Sequence, residues 1–328
     1  MSKRVIITGA MGFIGSHTAK VFKEAGYHVT GVDRAQTIPQ AAKFLDQLCV
    51  DDFASITPGV ASVTNADAIV HCAGTSLVGP SMTNPGEYYE NNAAKTNQMM
   101  ESLAKHKWHG TVVFSSSAAT YGNDCEVPIV ECAVQAPVNP YGQSKLMCEH
   151  IIRDHCHAHN ITGIALRYFN ACGADLDNQL GHVADDTHLI PRILSAYDNN
   201  RAFTLYGNDY KTPDGTCIRD YLHVVDIAHA HLEAVQLSAA IEHGTFEAYN
   251  LGTGSGHSNK EIIAACERVV GDDIGVSLHN RRAGDPDQLV ADCALFQAVT
   301  PWRPRNSDID TIVKTAWAWQ QTLLKTLG

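Results

Sequence analysis

Long apolar runs are missing from this 328-residue chain. None approaches the roughly 20 residues that a membrane-spanning helix needs, and the longest are broken by glycine or charge. No membrane partner is expected. Excess positive charge is missing too: 24 Lys+Arg stand against 35 Asp+Glu, a formal net charge of −11. A surface that tracks nucleic-acid phosphates is therefore not expected, although a local basic pocket for one small anion fits that balance. No C-x-x-C pair occurs among the ten cysteines. Scattered through a long chain, they read as small buried hydrophobes rather than a disulfide framework. Seventeen histidines raise the question of a metal. The densest group, His155, His157 and His159 around Cys156, runs up to Asn160, a helix-ending residue where imidazoles suit the helix dipole, so no metal is expected. Repeats, low-complexity linkers and a signal-peptide core are also absent; MSKR leads straight into VIITG, and the expected compartment is the cytoplasm.

What is present is ordinary for a soluble enzyme: 45% hydrophobic and 18% charged residues. The length allows one large α/β domain and a smaller one. β-like runs at 4–8, 27–32, 67–74, 111–117 and 161–169 alternate with helical stretches at 13–25, 87–107 and 142–159. That alternation predicts a doubly wound parallel sheet of Rossmann type, with ligands at the carboxyl ends of its strands. After 170 the pattern changes to a polar, irregular stretch. Helices follow at 190–200, 226–238 and about 308–326, with a strand-turn YNLGTG at 249–254 and a capping box at Ser258 and Glu261. The expected organisation is a Rossmann domain over 1–170 and a smaller α/β substrate-binding lobe over 171–328, with some later segments returning to the sheet.

Two segments carry chemistry. Gly9, Gly12 and Gly15 lie between a strand and a helix, where the backbone can approach a pyrophosphate and free N–H groups of the helix can receive it. Asp33, at the end of the next strand, can bind ribose hydroxyls and would repel a 2′-phosphate, favouring NAD over NADP; Arg34 beside it pulls slightly the other way. Tyr141 and Lys145 are four residues apart, one helical turn, and so share a face. A phenol beside an ammonium and a positive nicotinamide ring is favoured as phenolate, a base for a sugar or alcohol hydroxyl. Ser117, at the end of FSSS, can hold that hydroxyl.

TGAMGFIG, HCAG, YYENN, SSSAATYG, NPYGQSKLMCE, LRYFNACGAD and HLIP resemble the extended short-chain dehydrogenase/reductases. GNDYKTPDGTCIRDYLHVVD, YNLGTG and RRAGDP narrow the resemblance, over essentially the whole chain, to the UDP-galactose 4-epimerases. The resemblance implies an isomerase that interconverts UDP-galactose and UDP-glucose at C4 through a transient 4-keto sugar. NAD would accept and return the hydride, and the protein would be a homodimer. It implies catalysis by Ser117, Tyr141 and Lys145. It implies cofactor contacts at Phe13, Ile14, Asp33, Asp52, Phe53, Cys72, Ala73, Gly74, Asn91, Ser115 and Tyr168, besides Tyr141 and Lys145. For the UDP-sugar it implies Asn170, His188, Leu189, Thr204, Leu205, Tyr206, Arg219, Tyr221, Arg282, Asp285 and Leu289, with Ser117 and Tyr141. Two arginines from distant segments suit a diphosphate in an acidic protein. A dimer helix bundle would draw on 87–107 and 142–159, and Met99, Met100 and Leu103 are apolar candidates for it or for the monomer core.

Some positions depart from the family pattern. Pro80 replaces an acidic residue, His188 stands where some members have Asn, and Leu289 aligns with a bulky Tyr of members confined to unmodified hexoses. The smaller Leu289 suggests room for an N-acetyl group, hence activity on UDP-GalNAc and UDP-GlcNAc. A nucleotide-sugar 4,6-dehydratase is disfavoured, because Ala118 and Ala119 occupy the positions of its Asp-Glu pair. A UDP-pentose or UDP-uronate 4-epimerase is harder to separate. A non-catalytic NAD-binding regulator would have no reason to keep Ser117, Tyr141 and Lys145 together.

Overall fold

The computed structural model describes residues 2–34, 38–56, 65–182, 188–281 and 285–327. The strands in the first half are β1 (Arg4–Thr8), β2 (His28–Asp33), β3 (Gln47–Val50), β4 (Ala68–His71), β5 (Thr111–Ser117) and β6 (Thr162–Tyr168). The second half supplies β7 (Asn170–Cys172), β8 (Phe203–Tyr206), β9 (Ile218–Arg219), β10 (Tyr221–His223), β11 (Phe246–Leu251), β12 (His257–Ser258), β13 (Val276–His279) and β14 (Gln288–Leu289). The longer helices are α1 (Phe13–Glu24), α2 (Lys95–Lys105), α3 (Pro140–His159), α4 (Leu189–Asp198), α5 (Val224–Leu237), α6 (Asn259–Val270) and α7 (Ile309–Leu327).

Seven strands form one sheet in the order β3-β2-β1-β4-β5-β6-β11, every pair parallel. The near-continuous apolar runs of the sequence reflect burial on both faces. Val5, Ile7, Val70, Val113 and Ile164 pack on α1 and α5 through Phe22, Ile227 and Leu232. Their neighbours Ile6, Ile69, Val112, Phe114 and Ala165 pack on α2 and α3 through Met99, Met100, Leu103, Cys148 and Ile152. Burying each large aliphatic side chain is worth about 1.5–3 kcal/mol, so this two-sided core dominates stability. Met99, Met100 and Leu103 are at most 1% exposed, so they belong to the monomer core and supply no dimer face.

The strand order reverses between β1 and β4, which opens a crevice at their carboxyl ends. The later half returns to this layer twice, with α5 on one face and β11 at the edge beside β6. The second lobe has its own core, where α4, α6 and α7 meet through Ile193, Leu194, Ile262, Cys266, Ile312 and Val313. The Ser258–Glu261 capping box opens α6 as its sequence suggests. The stretch expected as one helix over 87–107 is segmented: Pro85–Tyr88, then a π-helical turn Tyr89–Ala94, then α2.

All ten cysteines are free and six are buried. His155 bonds Asn97 Oδ1 at 3.1 Å and stacks on His159 just before the left-handed Asn160 that ends α3. Among the described residues no helix is long and apolar enough to cross a membrane.

Four histidines are buried in the described fold as neutral side chains. Burial lowers His17, His223 and His231 to about 4, and burial with the nearby Lys145 charge lowers His71 to about 3. In the unfolded chain each takes up a proton near pH ~6.5. As pH falls below that value, the unfolded chain binds protons that the folded chain does not. Each of the four should therefore cost about 1.4 kcal/mol of stability per pH unit until the folded values are reached. Tm should fall steadily between pH ~6.5 and ~4.5. A flat Tm across that window would show that these imidazoles are not held neutral.

Candidate active site

The Gly-rich turn is built so that side chains cannot occupy it. Gly9 has φ +68°, and a Cβ there would lie 2.8 Å from the Ala73 amide nitrogen. A Cβ on Gly15 would lie 2.0 Å from the Gly9 carbonyl oxygen, so α1 sits directly on the turn. Helix α1 starts at Gly12 with no side-chain cap, which leaves its first N–H groups facing the crevice for an anion. The Met11 N–H donates to Asp33 Oδ2 at 2.9 Å and ties the turn to the end of β2.

A cavity of about 280 Å³ opens here. Of the expected residues, Gly9, Gly12, Asp33, Arg34, Phe53, Cys72, Ala73, Gly74 and Asn91 line it. Met11, Val32 and Asp51 line it as well and escaped sequence reading. Asp52 has a different place: it caps the turn Phe53–Ser55 and pairs with Lys95 Nζ at 2.7 Å, which holds its carboxyl below the usual range despite partial burial. Phe13 stacks edge-on against His17 and His182, and Ile14 packs on the sheet core. The glycine cradle, the uncapped helix N-terminus and the Asp33 carboxylate at the cavity edge fit a dinucleotide.

Ser117, Tyr141 and Lys145 lie further along the same sheet edge. Asn139 caps α3, accepting the Gly142 N–H at 2.8 Å, and so sets the first turn that carries Tyr141. Tyr141 is 9% exposed, its ring edge-on to Tyr88 at 6.4 Å. One turn later, the buried Lys145 donates to the Ser115 carbonyl at 2.8 Å and lies 4.7 Å over the Phe114 ring. Ser117 ends β5, where its Oγ accepts the Ala119 N–H at 3.2 Å. Tyr168, partly buried and opposite Ser117 in the next strand, is held neutral by desolvation, its phenol raised well above the usual value.

Asn92 was missed by sequence reading. Its side chain accepts the Thr75 N–H at 2.8 Å and donates to Thr75 O at 3.0 Å and Ser144 Oγ at 2.8 Å. It thereby fastens the π-helical turn to the loop after β4 and to α3 between Tyr141 and Lys145. The only signal in the sequence was the doubled asparagine in YYENN; π-turns of this kind concentrate at functional sites.

The second lobe presents several of the remaining expected residues on short strands. Asn170 on β7 pairs with Tyr221 on β10, and Arg219 on β9 pairs with Leu289 on β14. Asp220 fixes this junction by accepting from Thr253, Gly254 and Ala291. Leu289 packs with Ala118, Tyr121, Phe169 and Ala291, beside the end of β5. Asp285 accepts from the Tyr210 hydroxyl at 3.5 Å. His188 occupies the N-cap position of α4 without a side-chain capping bond and its ring lies against His182, while Leu189 packs on the lobe core. On β8, Thr204 and Tyr206 are half-buried, but Leu205 points into the lobe core at 4% exposure, so its side chain is structural. Pro80 sits within the short helix Val78–Thr83. Arg282 lies outside the described residues.

This fold and this arrangement define a nicotinamide-nucleotide enzyme of the short-chain dehydrogenase/reductase type. Residues 5–252 match the model of the NAD dependent epimerase/dehydratase family. The UDP-glucose 4-epimerase of Halalkalibacterium halodurans is 37% identical over 327 residues, 97% of this chain and 95% of that protein. The crystal structure of UDP-glucose 4-epimerase from Brucella ovis in complex with NAD superposes with a TM-score of 0.89 at 40% identity, covering 96% of this chain and 98% of that one. The UDP-Glc/GlcNAc 4-epimerase of Campylobacter jejuni superposes with a TM-score of 0.81 at 35% identity, covering 98% and 100%. The chain belongs to the NAD-dependent epimerase/dehydratase family, in its UDP-glucose 4-epimerase branch, and its cofactor is NAD.

Proposed function

We propose that the chain is an isomerase that interconverts UDP-galactose and UDP-glucose by inverting C4 through a 4-keto sugar. The observation that carries this reading is the placing of Tyr141 and Lys145 on successive turns of α3, with Lys145 pinned to the end of β5 at 2.8 Å. Bound NAD supplies the hydride acceptor and donor. Tyr141 Oη takes the 4-hydroxyl proton and later returns it to the same oxygen, after the 4-keto sugar has turned its other face to the hydride donor. Ser117 Oγ hydrogen-bonds the reacting oxygen, and the Lys145 ammonium favours the phenolate of Tyr141. The cavity-lining residues hold the cofactor, with Asp33 on the adenosine ribose, and Ser115 and Tyr168 beside the nicotinamide. Asn170, Arg219, Tyr221 and Asp285 hold the UDP-sugar at the face of the second lobe, Arg282 is a further ligand by resemblance alone, and the lobe begins near residue 171.

The short Leu289, beside Ala118 at the sugar end, favours a second reading in which N-acetylated UDP-hexoses are also accepted. We place the enzyme in the cytoplasm as a homodimer. Its contact face would use Val78, Met82, Tyr89 and Met147, exposed apolar side chains on segments that pack together around the start of α3.

The test is incubation of purified protein with UDP-galactose and no added cofactor, with UDP-glucose resolved by chromatography. Product is expected, and UDP-GalNAc is expected to give UDP-GlcNAc. Turnover confined to UDP-pentoses or UDP-uronates would move the substrate, and no turnover of UDP-GalNAc at saturation would end the second reading.

A further inference from the structure

Resting on the epimerase reading, we propose that His231 is a positioning residue for the nicotinamide end of the site, acting through Ser115. His231 lies on α5, on the far side of β5 from Tyr141, and is fully buried. Its Nδ1 lies 3.0 Å from the Ile227 carbonyl oxygen. A carbonyl only accepts, so Nδ1 carries the proton. Burial keeps the ring neutral, with its titration lowered to about 4. Nε2 is therefore a bare acceptor, and it lies 3.1 Å from Ser115 Oγ.

This contact settles where the Ser115 proton goes. Ser115 has one hydroxyl proton but two polar neighbours for its Oγ: His231 Nε2 and the Cys72 sulfur, each at 3.1 Å. Only the imidazole nitrogen lacks a proton to give. Ser115 thus donates to His231 Nε2, with Cys72 Sγ 3.1 Å from the same Oγ. The rotor is locked, with Cys72, a cavity residue, held against it and the Tyr168 ring edge-on to the imidazole at 6.3 Å. The Ser115 carbonyl meanwhile carries the Lys145 ammonium. One imidazole, 116 residues away in sequence, thus orients the floor of the nicotinamide site and steadies the strand end that anchors the catalytic lysine.

The test is a mutant cycle on the purified holoenzyme with three readouts: kcat and KM for UDP-galactose, and the rate at which bound NAD is lost on dilution. His231→Leu should lower kcat and accelerate NAD loss by about tenfold each, with KM unchanged. Ser115→Ala should do the same. If His231 acts through Ser115, the double variant is no worse than either single variant. His231→Gln, whose amide can donate to Ile227 O and accept from Ser115, should restore most of both rates, which mere filling of space would not do. Independent effects multiplying to about a hundredfold would overturn the proposal. So would a lowered Tm in His231→Leu with kcat and NAD loss unchanged. NAD loss reads the inference apart from the function: wild-type protein that holds NAD but turns over no UDP-galactose sinks the epimerase reading alone.

Discussion

Tyr141→Phe is expected to lower kcat by about 10³-fold while leaving KM within threefold, because general-base catalysis contributes roughly 10²–10⁴ and acts in the transition state. A factor of 10³ corresponds to about 4 kcal/mol of lost transition-state stabilisation. The substitution removes one oxygen. The ring that packs edge-on against Tyr88 remains, and the fold around α3 depends on the Asn139 cap and the apolar face below it. Tm should therefore stay close to that of the parent, so that lost turnover reads chemistry and not unfolding. Steady-state kinetics and a thermal melt on the same preparation check this. Full turnover by the variant would remove Tyr141 from the mechanism.

Glu149→Ala is expected to be the most destabilising of the single changes considered. Glu149 and Arg167 form a buried pair, 2% and 6% exposed at the side chain, with Arg167 Nη2 donating at 2.6 Å and Nε at 2.9 Å. The Ser116 hydroxyl also donates to Glu149, and Arg167 Nη1 reaches the Tyr121 hydroxyl at 2.8 Å. Tyr121 in turn donates to Asn250 Oδ1 at 2.7 Å. The network thus fastens α3 to β5, β6 and β11. The Glu149 carboxylate drives the Arg167 guanidinium far above its usual value against the pull of burial, so it stays charged. Removing the carboxylate leaves that charge buried and unpaired, at a cost of about 3–5 kcal/mol. For a chain of this size Tm should drop by about 5–10 °C. The exposed pair Arg153–Asp154, at 45% and 70% exposure, serves as control; Asp154→Ala should change stability by less than about 1 kcal/mol. Equal melts for the two variants would show that the buried pair holds nothing together.

The parts legible in the sequence are those whose physics is local. A glycine is needed wherever a Cβ would strike backbone, as at Gly9 and Gly15, and the spacing of Tyr141 and Lys145 is one helical turn in any helix. Strands buried on both faces announce themselves as apolar runs. The parts that stayed hidden depend on partners far away in the chain. β3 is a short edge strand, half exposed, without an apolar run to mark it. Leu205 looks like a site residue in a strand beside the lobe, yet the alternation of β8 turns it inward. Met99 and Met100 fit a dimer face as well as a core until the sheet that covers them is in view. Asn92 is the second asparagine of YYENN and Asp51 and His231 carry no motif; each gains meaning from a contact with a residue in another segment.

The central claim is that hydrogen leaves C4 as hydride, is stored within the site, and returns to the same carbon. UDP-galactose deuterated at C4, turned over in ordinary water, tests it most directly. The account predicts UDP-glucose that keeps its deuterium at C4, with the hydroxyl proton alone exchanging through Tyr141. Product with protium at C4 would mean that the carbon exchanges with solvent, and it would contradict the mechanism whatever the rate of turnover.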